Sequence, residues 1–389
     1  VEEKMNYAWR GETASRAKDK SGNWILHQFT SAPMISSNIY GEQPYTSPDG
    51  KRFAIIRSPD WTLYEGHALL VGDIPSLKMV VLEPPGQVLG IANSAWKGHL
   101  FCWVRSGRSK VVLRKISLMT FKKKDLLEQP YSDKRWRMSQ SVSPDFKYLL
   151  SGERAGDNCY RILRLNISRG KWEIIFETSD PFSHLQYEPI YGNDILFQIN
   201  KHWRVDKLGN WIAAGTDSTI LALIDADGTN YRQLPMGRPF TRGATGHECF
   251  IPGTNRVLFS TVADFIEKST EFWDSTLFVA AYGDEKPTPI YAPGHPFNHV
   301  SVSKCGTYFV ADTYKDGPPG PIPLIVGNIA TNKMAPLVET GTQGGGCQCT
   351  HPHPYFTADN KHVIYNSNLT GVPQVYVAVV PEEFLRALD

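Results

Sequence analysis

A turn followed by an apolar strand recurs along this chain, and that repeat narrows the fold more than any other feature. It reads "SPDGKRFAIIRS" from Ser47, "SPDFKYLLSGE" from Ser143, "IPGTNRVLFST" from Ile251, "VSKCGTYFVAD" from Val302 and "FTADNKHVIYNSN" from Phe356. Two degenerate copies, "SAWKGHLFCWVRS" near Ser94 and "YGNDILFQINK" near Tyr191, fill the gaps, and neighbouring copies stand about 45 to 60 residues apart. A second apolar strand follows each turn, from "LLVGDI" at Leu69 to "VYVAVVP" at Val375. The spacing suits one four-stranded blade, and a blade that cannot cover both its faces alone is covered in a ring. The expected fold is therefore an all-β, seven-bladed β-propeller forming one domain over residues 1–389, with the first 30 or so residues packing on or closing the ring. A pair of β-sandwiches also has short strands, but no linker-like stretch divides this chain.

Composition agrees with many short strands. Hydrophobic residues make up 41%, enough for a large core, and 32 Gly and 27 Pro supply turns. A formal charge of +2 argues against a nucleic-acid partner held by bulk charge. No apolar run approaches the roughly 20 residues of a membrane helix. The six cysteines show no regular disulfide spacing, so free thiols or metal ligands are expected over a stapled scaffold.

Polar chemistry gathers before the last three turns. "CQCTHPHPYF" runs from Cys347 to Phe356, "TGHECF" carries His247, and "GHPFNHVSV" carries His295 and His299. Aligning the turns puts these imidazoles at similar height on consecutive blades. In an extended segment His351 and His353 would point the same way, with Pro352 limiting the backbone between them. They and His299 can share a divalent ion, with Cys347, Cys349 and Gln348 as further donors. A thiolate favours zinc, whereas a Gln oxygen beside three imidazoles suits manganese or another harder ion, calcium included. An ordinary polar strand pair is the bland alternative, and a redox Cys-x-Cys pair lacks its usual surroundings. Arg238 and Arg242 precede His247 on a Gly-rich loop. Their charge would push that imidazole's pKa down, making it a competent general base, and they would grip an anionic substrate.

With these residues in view, the C-terminal half resembles the oligogalacturonate lyases of pectin breakdown. "QCTHPHPYFTADNK" from Gln348 matches their "Q-x-T-H-P-H-P-x-F-T-x-D-N-K", and "HECFIPGT" and "NHVSVSKCG" resemble two further motifs. The resemblance implies a seven-bladed propeller and an ion, usually manganese, held by His299, Gln348, His351 and His353. It also implies His247 as the catalytic base and a β-elimination on a uronic acid residue, with a uronate-containing oligosaccharide or polysaccharide as partner. It implies a cytoplasmic address, against a periplasmic or secreted one if the chain is a mature form, and says nothing of oligomeric state. The family's Cys-His-Arg-Asn stretch has "ISSNIYGE" in its place here, and a histidine before "P-I-Y" is replaced by Glu188. Ulvan-type propeller lyases suggest another arrangement, with Tyr187 and Arg204 in catalysis and Tyr191 and His202 holding substrate. In that version a structural zinc sits on His299, Cys347, Cys349 and one of His351 or His353. A non-catalytic carbohydrate-binding propeller is the alternative from outside enzymology.

Overall fold

The computed structural model describes residues 7–58, 66–132, 139–201, 204–205, 211–212, 219–241, 244–261, 275–292, 295–313, 322–343 and 348–389. Among them the architecture is all-β, with one short α-helix at Glu382–Arg386. No helix among the described residues is long and apolar enough to cross a membrane.

Each copy of the repeat is a strand. They lie at Arg52–Arg57, His99–Ser106, Tyr148–Gly156, Asp194–Asn200, Arg256–Thr261, Tyr308–Thr313 and His362–Ser367. Each pairs antiparallel with the second apolar strand that follows it. The strands build separate meanders, four of whose strands in order are, for example, Phe297–Val302, Tyr308–Thr313, Pro323–Asn328 and Met334–Glu339. The long strand Lys78–Asn93 pairs by its first half with His67–Asp73 and by its second with His99–Ser106, which fuses two meanders into one seven-stranded sheet.

One side-chain clasp explains why the turn motif recurs. The hydroxyls of Ser47, Ser143, Ser303 and Thr357 each accept the backbone N–H five residues on, at 2.9 to 3.1 Å. In three of these turns the same hydroxyl donates to the Asp two residues later, Asp49, Asp145 or Asp359. The Asp carboxylate then accepts a further N–H, so the turn's donors are satisfied locally and the strand starts in register. At the degenerate copy near Tyr191 the Glu188 carboxylate performs this task, accepting N–H groups of Ile190 and Gly192 and, from the neighbouring turn, of Gly253.

The meanders pack face to face in chain order. Phe182–Tyr187 lies against Ala244–Phe250, which lies against Phe297–Val302, which in turn meets Tyr355–Phe356. Between the sheets of Ala244–Phe250 and Phe297–Val302 sits a cluster in which Val302, Phe309 and Ile325 join Leu258 and Val279. The circuit returns to its start because Trp24–Gln28 pairs with Gln374–Val379 and Ala14–Lys18 pairs outside it. The first residues thus complete the last sheet, whose strand Gln374–Val379 also touches Ser36–Ser37.

The repeated Val-Gly-Asp/Asn-Ile of the second strands has a packing cause. A Cβ on Gly72 would lie 2.7 Å from the Phe29 ring and 2.8 Å from Phe53, and one on Gly327 would lie 2.4 Å from Phe309. The glycine makes room for a buried phenylalanine of the adjacent strand, and burying that side chain is worth about 1.5–3 kcal/mol. Gly327→Ala should overpack this layer and cost about 1–3 kcal/mol of stability. Denaturant unfolding of the purified variant measures it; an unchanged midpoint would show that the layer yields freely.

Candidate functional site

Three histidines mark the same end of three neighbouring first strands: His184 on Phe182–Tyr187, His247 on Ala244–Phe250 and His299 on Phe297–Val302. Two further segments reach them. One is the 3-10 turn Gln348–Thr350 with His351 to Pro354 behind it, and the other is the run from Asn38 to Gln43. Ile39 (φ 78°), His184 (φ 59°) and His353 (φ 44°) all take left-handed backbone conformations that side chains disfavour. Each such residue costs about 1–3 kcal/mol and persists only where its surroundings over-determine it.

Those surroundings are visible. The Asn38 side-chain amide donates to the His353 carbonyl at 2.8 Å, and the Asn38 N–H donates to Asn366 Oδ1 at 2.8 Å. Gly41 passes so close that a Cβ there would lie 2.9 Å from the His353 carbonyl carbon and 3.0 Å from the Pro354 oxygen. Glycine at 41 is therefore a matter of close approach, not of dihedral freedom.

His299, His351 and His353 each offer one ring nitrogen, and these lie within 4.8 Å of one another. The ring of His299 stands 4.1 Å from that of His353 and 5.3 Å from that of His351. His353 is buried, and neither of its ring nitrogens has a hydrogen-bond partner among the described residues. A buried imidazole left that way is costly unless a ligand completes it, so the donor set fits a divalent ion. His299 is aimed by the buried Asp312, whose carboxylate takes its backbone N–H at 2.8 Å and stands 2.8 Å from Nδ1. With Nδ1–H on the carboxylate, Nε2 keeps its lone pair. Burial pushes the Asp312 carboxyl up to about 7 against the pull of the His299 N–H. The extended arrangement expected for His351 and His353 is not what converges them. A 3-10 turn and the left-handed kink at His353 do so instead.

A second constellation adjoins the first. Glu42 Oε1 stands 2.9 Å from His184 Nδ1 and 3.6 Å from His247 Nδ1, and these three residues form another group with cation-binding spacing. Glu248, fully buried, lies 3.6 Å from the same His184 nitrogen. Burial disfavours charge on His184, but the two carboxylates outweigh it and hold the imidazolium well above its usual range. His247 is held well below its usual range, by burial first and then by the imidazoles of His299, His184 and His353. The lowered direction agrees with the expectation for His247, and among the described residues burial and the neighbouring imidazoles produce it. A cavity of about 280 Å³ opens beside these groups, lined by Tyr40, Glu42, Gln140, His184 and Gln348 among others. The ring of His247 is 4.0 Å from that of His299, so both constellations form one site.

Other expected residues lie elsewhere. Tyr187 is buried among Phe182, Leu185 and Phe197, and burial pushes its hydroxyl well up. Tyr191 is 67% exposed on the turn beyond the far end of the strand that begins near His184. Neither lines the cavity, and with them the Tyr/His/Arg arrangement loses its tyrosines. Arg238 sits exposed on the loop before His247. Cys349 is disulfide-bonded, so it has no thiolate for an ion, and the expectation of a free thiol or a zinc ligand at this position is corrected. His202, Arg242 and Cys347 lie outside the described residues, as does the side chain of Arg204. Sequence reasoning passed over Tyr40, Glu42, His184, Glu248 and Asp312. For Tyr40 and Glu42 the signal was the unmatched "ISSNIYGE" stretch; Asp312 sits in a repeat strand and gave none.

No family model matches the chain. An oligogalacturonide lyase of Pectobacterium atrosepticum is 25% identical over 244 residues, 58% of this chain and 56% of that protein. An oligogalacturonate lyase of Dickeya dadantii is 25% identical over 239 residues, again 58% and 56%. The match thus spans little more than half the length of these relatives. Among solved structures, an oligogalacturonate lyase in complex with manganese superposes with a TM-score of 0.71 at 18% identity, covering 97% of this chain and 99% of that one. An oligogalacturonate lyase from Vibrio parahaemolyticus gives 0.69 at 17% identity over the same shares. The β-propeller domain of the Trilobed protease from Pyrococcus furiosus gives 0.51 at 10% identity, covering 87% and 95%. The chain is oligogalacturonate lyase-like in sequence and propeller-like in fold.

Asp312→Asn should weaken Mn²⁺ binding roughly 10- to 100-fold, because an amide no longer holds the His299 proton on Nδ1. Titration calorimetry on the folded variant reads this directly, and wild-type affinity would remove Asp312 from the metal's support.

Proposed function

We propose that this chain is a lyase that cuts uronic-acid-containing oligosaccharides by metal-assisted β-elimination, with oligogalacturonides as the substrate. The observation that carries the reading is the convergence of His299, His351 and His353 beside His247, next to the cavity that Tyr40, His184 and Gln348 line. Likeness to oligogalacturonate lyases in sequence, and in fold to one in complex with manganese, supports the same reading. Dividing the fused sheet at Lys78–Asn93, and setting aside the two-stranded hairpin of Arg204–Val205 and Trp211–Ile212, leaves seven meanders among the described residues, and on that division we read one seven-bladed propeller domain.

In this reading His299, His351, His353 and the Gln348 side chain hold one divalent ion. Three imidazoles and a carboxamide suit manganese, and the bonded state of Cys349 leaves no thiolate there to favour zinc. When bound, such an ion draws charge from a sugar carboxylate and makes the neighbouring C5–H more acidic. His247 takes that proton. Its burial among other imidazoles keeps it neutral and therefore ready to accept. The C4–O bond then breaks, leaving a C4–C5 double bond, and no water is consumed. No carboxylate pair of the kind that hydrolysis employs is needed.

Incubation of the purified protein with oligogalacturonides should generate the ultraviolet absorbance of a conjugated unsaturated acid. His247→Ala should lower that rate at least ~100-fold while the circular dichroism spectrum is kept. Dialysis against chelator should abolish the signal and added Mn²⁺ should restore it. Binding of uronides with no absorbance change across galacturonides, glucuronides and ulvan fragments would favour a non-catalytic carbohydrate-binding protein instead.

A further inference from the structure

Glu42, His184 and Glu248 have no task in the lyase reading, yet they gather charge directly beside its base. Glu42, His184 and His247 each offer one donor atom, and these atoms lie within 4.8 Å of one another. Two imidazoles and a carboxylate are a donor set that zinc takes in catalytic sites. We propose that these three residues, with Glu248 beside them, form a second divalent-cation site, and that an ion there switches elimination off by occupying the His247 nitrogen. The site stands on its own donors, while its effect on turnover rests on the lyase reading above.

The spacing is that of a coordination shell. Glu42 Oε1 lies 2.9 Å from His184 Nδ1 and 3.6 Å from His247 Nδ1, and Glu248 Oε1 lies 3.6 Å from His184 Nδ1. Donors held about 2.1 Å from a tetrahedral ion stand roughly 3.4 Å from one another, within that range. Glu42 Oε1, His184 Nδ1 and both Glu248 carboxylate oxygens are buried and have no hydrogen-bond partner among the described residues. The Glu248 side chain has no exposed surface at all. Buried polar atoms left so are costly, and a cation completes all of them at once. Without an ion the two carboxylates hold a proton on His184, and the same field favours a divalent cation in its place.

Neighbouring groups aim these donors. The Tyr40 hydroxyl stands 3.5 Å from His184 Nε2, and a proton on that nitrogen leaves the Nδ1 lone pair for an ion. Gln186 Nε2 donates to Glu42 Oε2 at 3.3 Å, so Oε1 is the oxygen that faces the histidines. Pairing with the following strand slips between Ser183 and Gln186 and again between Ala244 and Glu248. Such slips re-aim side chains, and here the consecutive His247 and Glu248 both reach the cluster. Glu42 and His184 line the cavity, which gives an ion its way in. The consequence for catalysis follows from the imidazole itself. A neutral ring has one lone pair, and His247 gives it either to an ion or to the C5 proton. Whichever nitrogen is used, an occupied second site leaves no base.

The test counts ions and follows turnover in the full chain, with Zn²⁺ as the probe because both donor sets accept it. Wild-type protein dialysed to equilibrium against Zn²⁺ should hold two ions by elemental analysis. Glu42→Gln and His184→Asn should each hold one, that of the histidine nest, and its retention shows that the variant is folded. Asparagine also suits the left-handed backbone at His184. His353→Asn should lose the nest ion and keep the other. In the Mn²⁺-loaded protein, added Zn²⁺ should lower oligogalacturonide turnover, and Glu42→Gln should need at least ~10-fold more Zn²⁺ for the same fractional fall. A single ion on the wild-type chain, or two ions that survive in both Glu42→Gln and His184→Asn, overturns the site. A fall at the same Zn²⁺ in wild type and Glu42→Gln assigns inhibition to exchange at the nest and overturns the switch. A protein that eliminates no uronide removes the lyase reading and the switch with it, while the ion count still decides the site.

Discussion

The contact on which this structure depends is the seam where the first residues meet the last sheet. Trp24–Gln28 pairs with Gln374–Val379, and a few residues later Asn38 and Gly41 lie against His353 and Pro354. Backbone pairing supplies the closure, since an unpaired sheet edge exposes a row of donors and acceptors. Phe29, fully buried against Phe53 and Gly72, then anchors the segment that follows. Only because that anchor holds do Tyr40 and Glu42 arrive among imidazoles that come from the other end of the chain.

The site itself gathers charge in a place that resists it. His184, His247, His299 and His353 would repel one another if all were protonated, and burial penalises each charge further. Two devices resolve the conflict. Glu42 and Glu248 surround His184 and make it the imidazolium of the set, while Asp312 engages His299 on one nitrogen and leaves the other bare. What results is a division of labour by environment. One imidazole is held charged, one is held neutral with burial as the main cause, and three face one another at metal-binding distance.

Much of the fold could be read before any coordinates. The serine or threonine that clasps four of the turns and the glycine that clears space for a phenylalanine are local devices, so they repeat in the sequence wherever they repeat in space. Three histidines near consecutive turns could be aligned for the same reason. Other parts left no such trace. His184 sits three residues before Tyr187 in a strand whose turn is closed by Glu188 in place of the usual hydroxyl, so the register of that copy was hard to assign. Tyr187 and Tyr191 looked chemically apt, but side chains alternate along a strand, and here that alternation sends Tyr187 into the core. Cys349 reads as a metal ligand by composition, whereas its disulfide is a pairing choice that spacing alone does not reveal.

Tyr40 and Glu42 were illegible for a deeper reason. They lie on a non-repeating run, and what gives them meaning is the distance between Asn38 and His353, which are 315 residues apart. Strain at Ile39, His184 and His353 follows the same logic. A left-handed β-branched residue does not serve strand pairing, and Ile39 survives there because the seam and its packing against the core over-determine it. The cost of that strain falls on stability, while its benefit is the placement of a hydroxyl between two imidazoles. The seam that completes the fold is thus also the element that assembles the chemistry, and a change that loosens one must disturb the other.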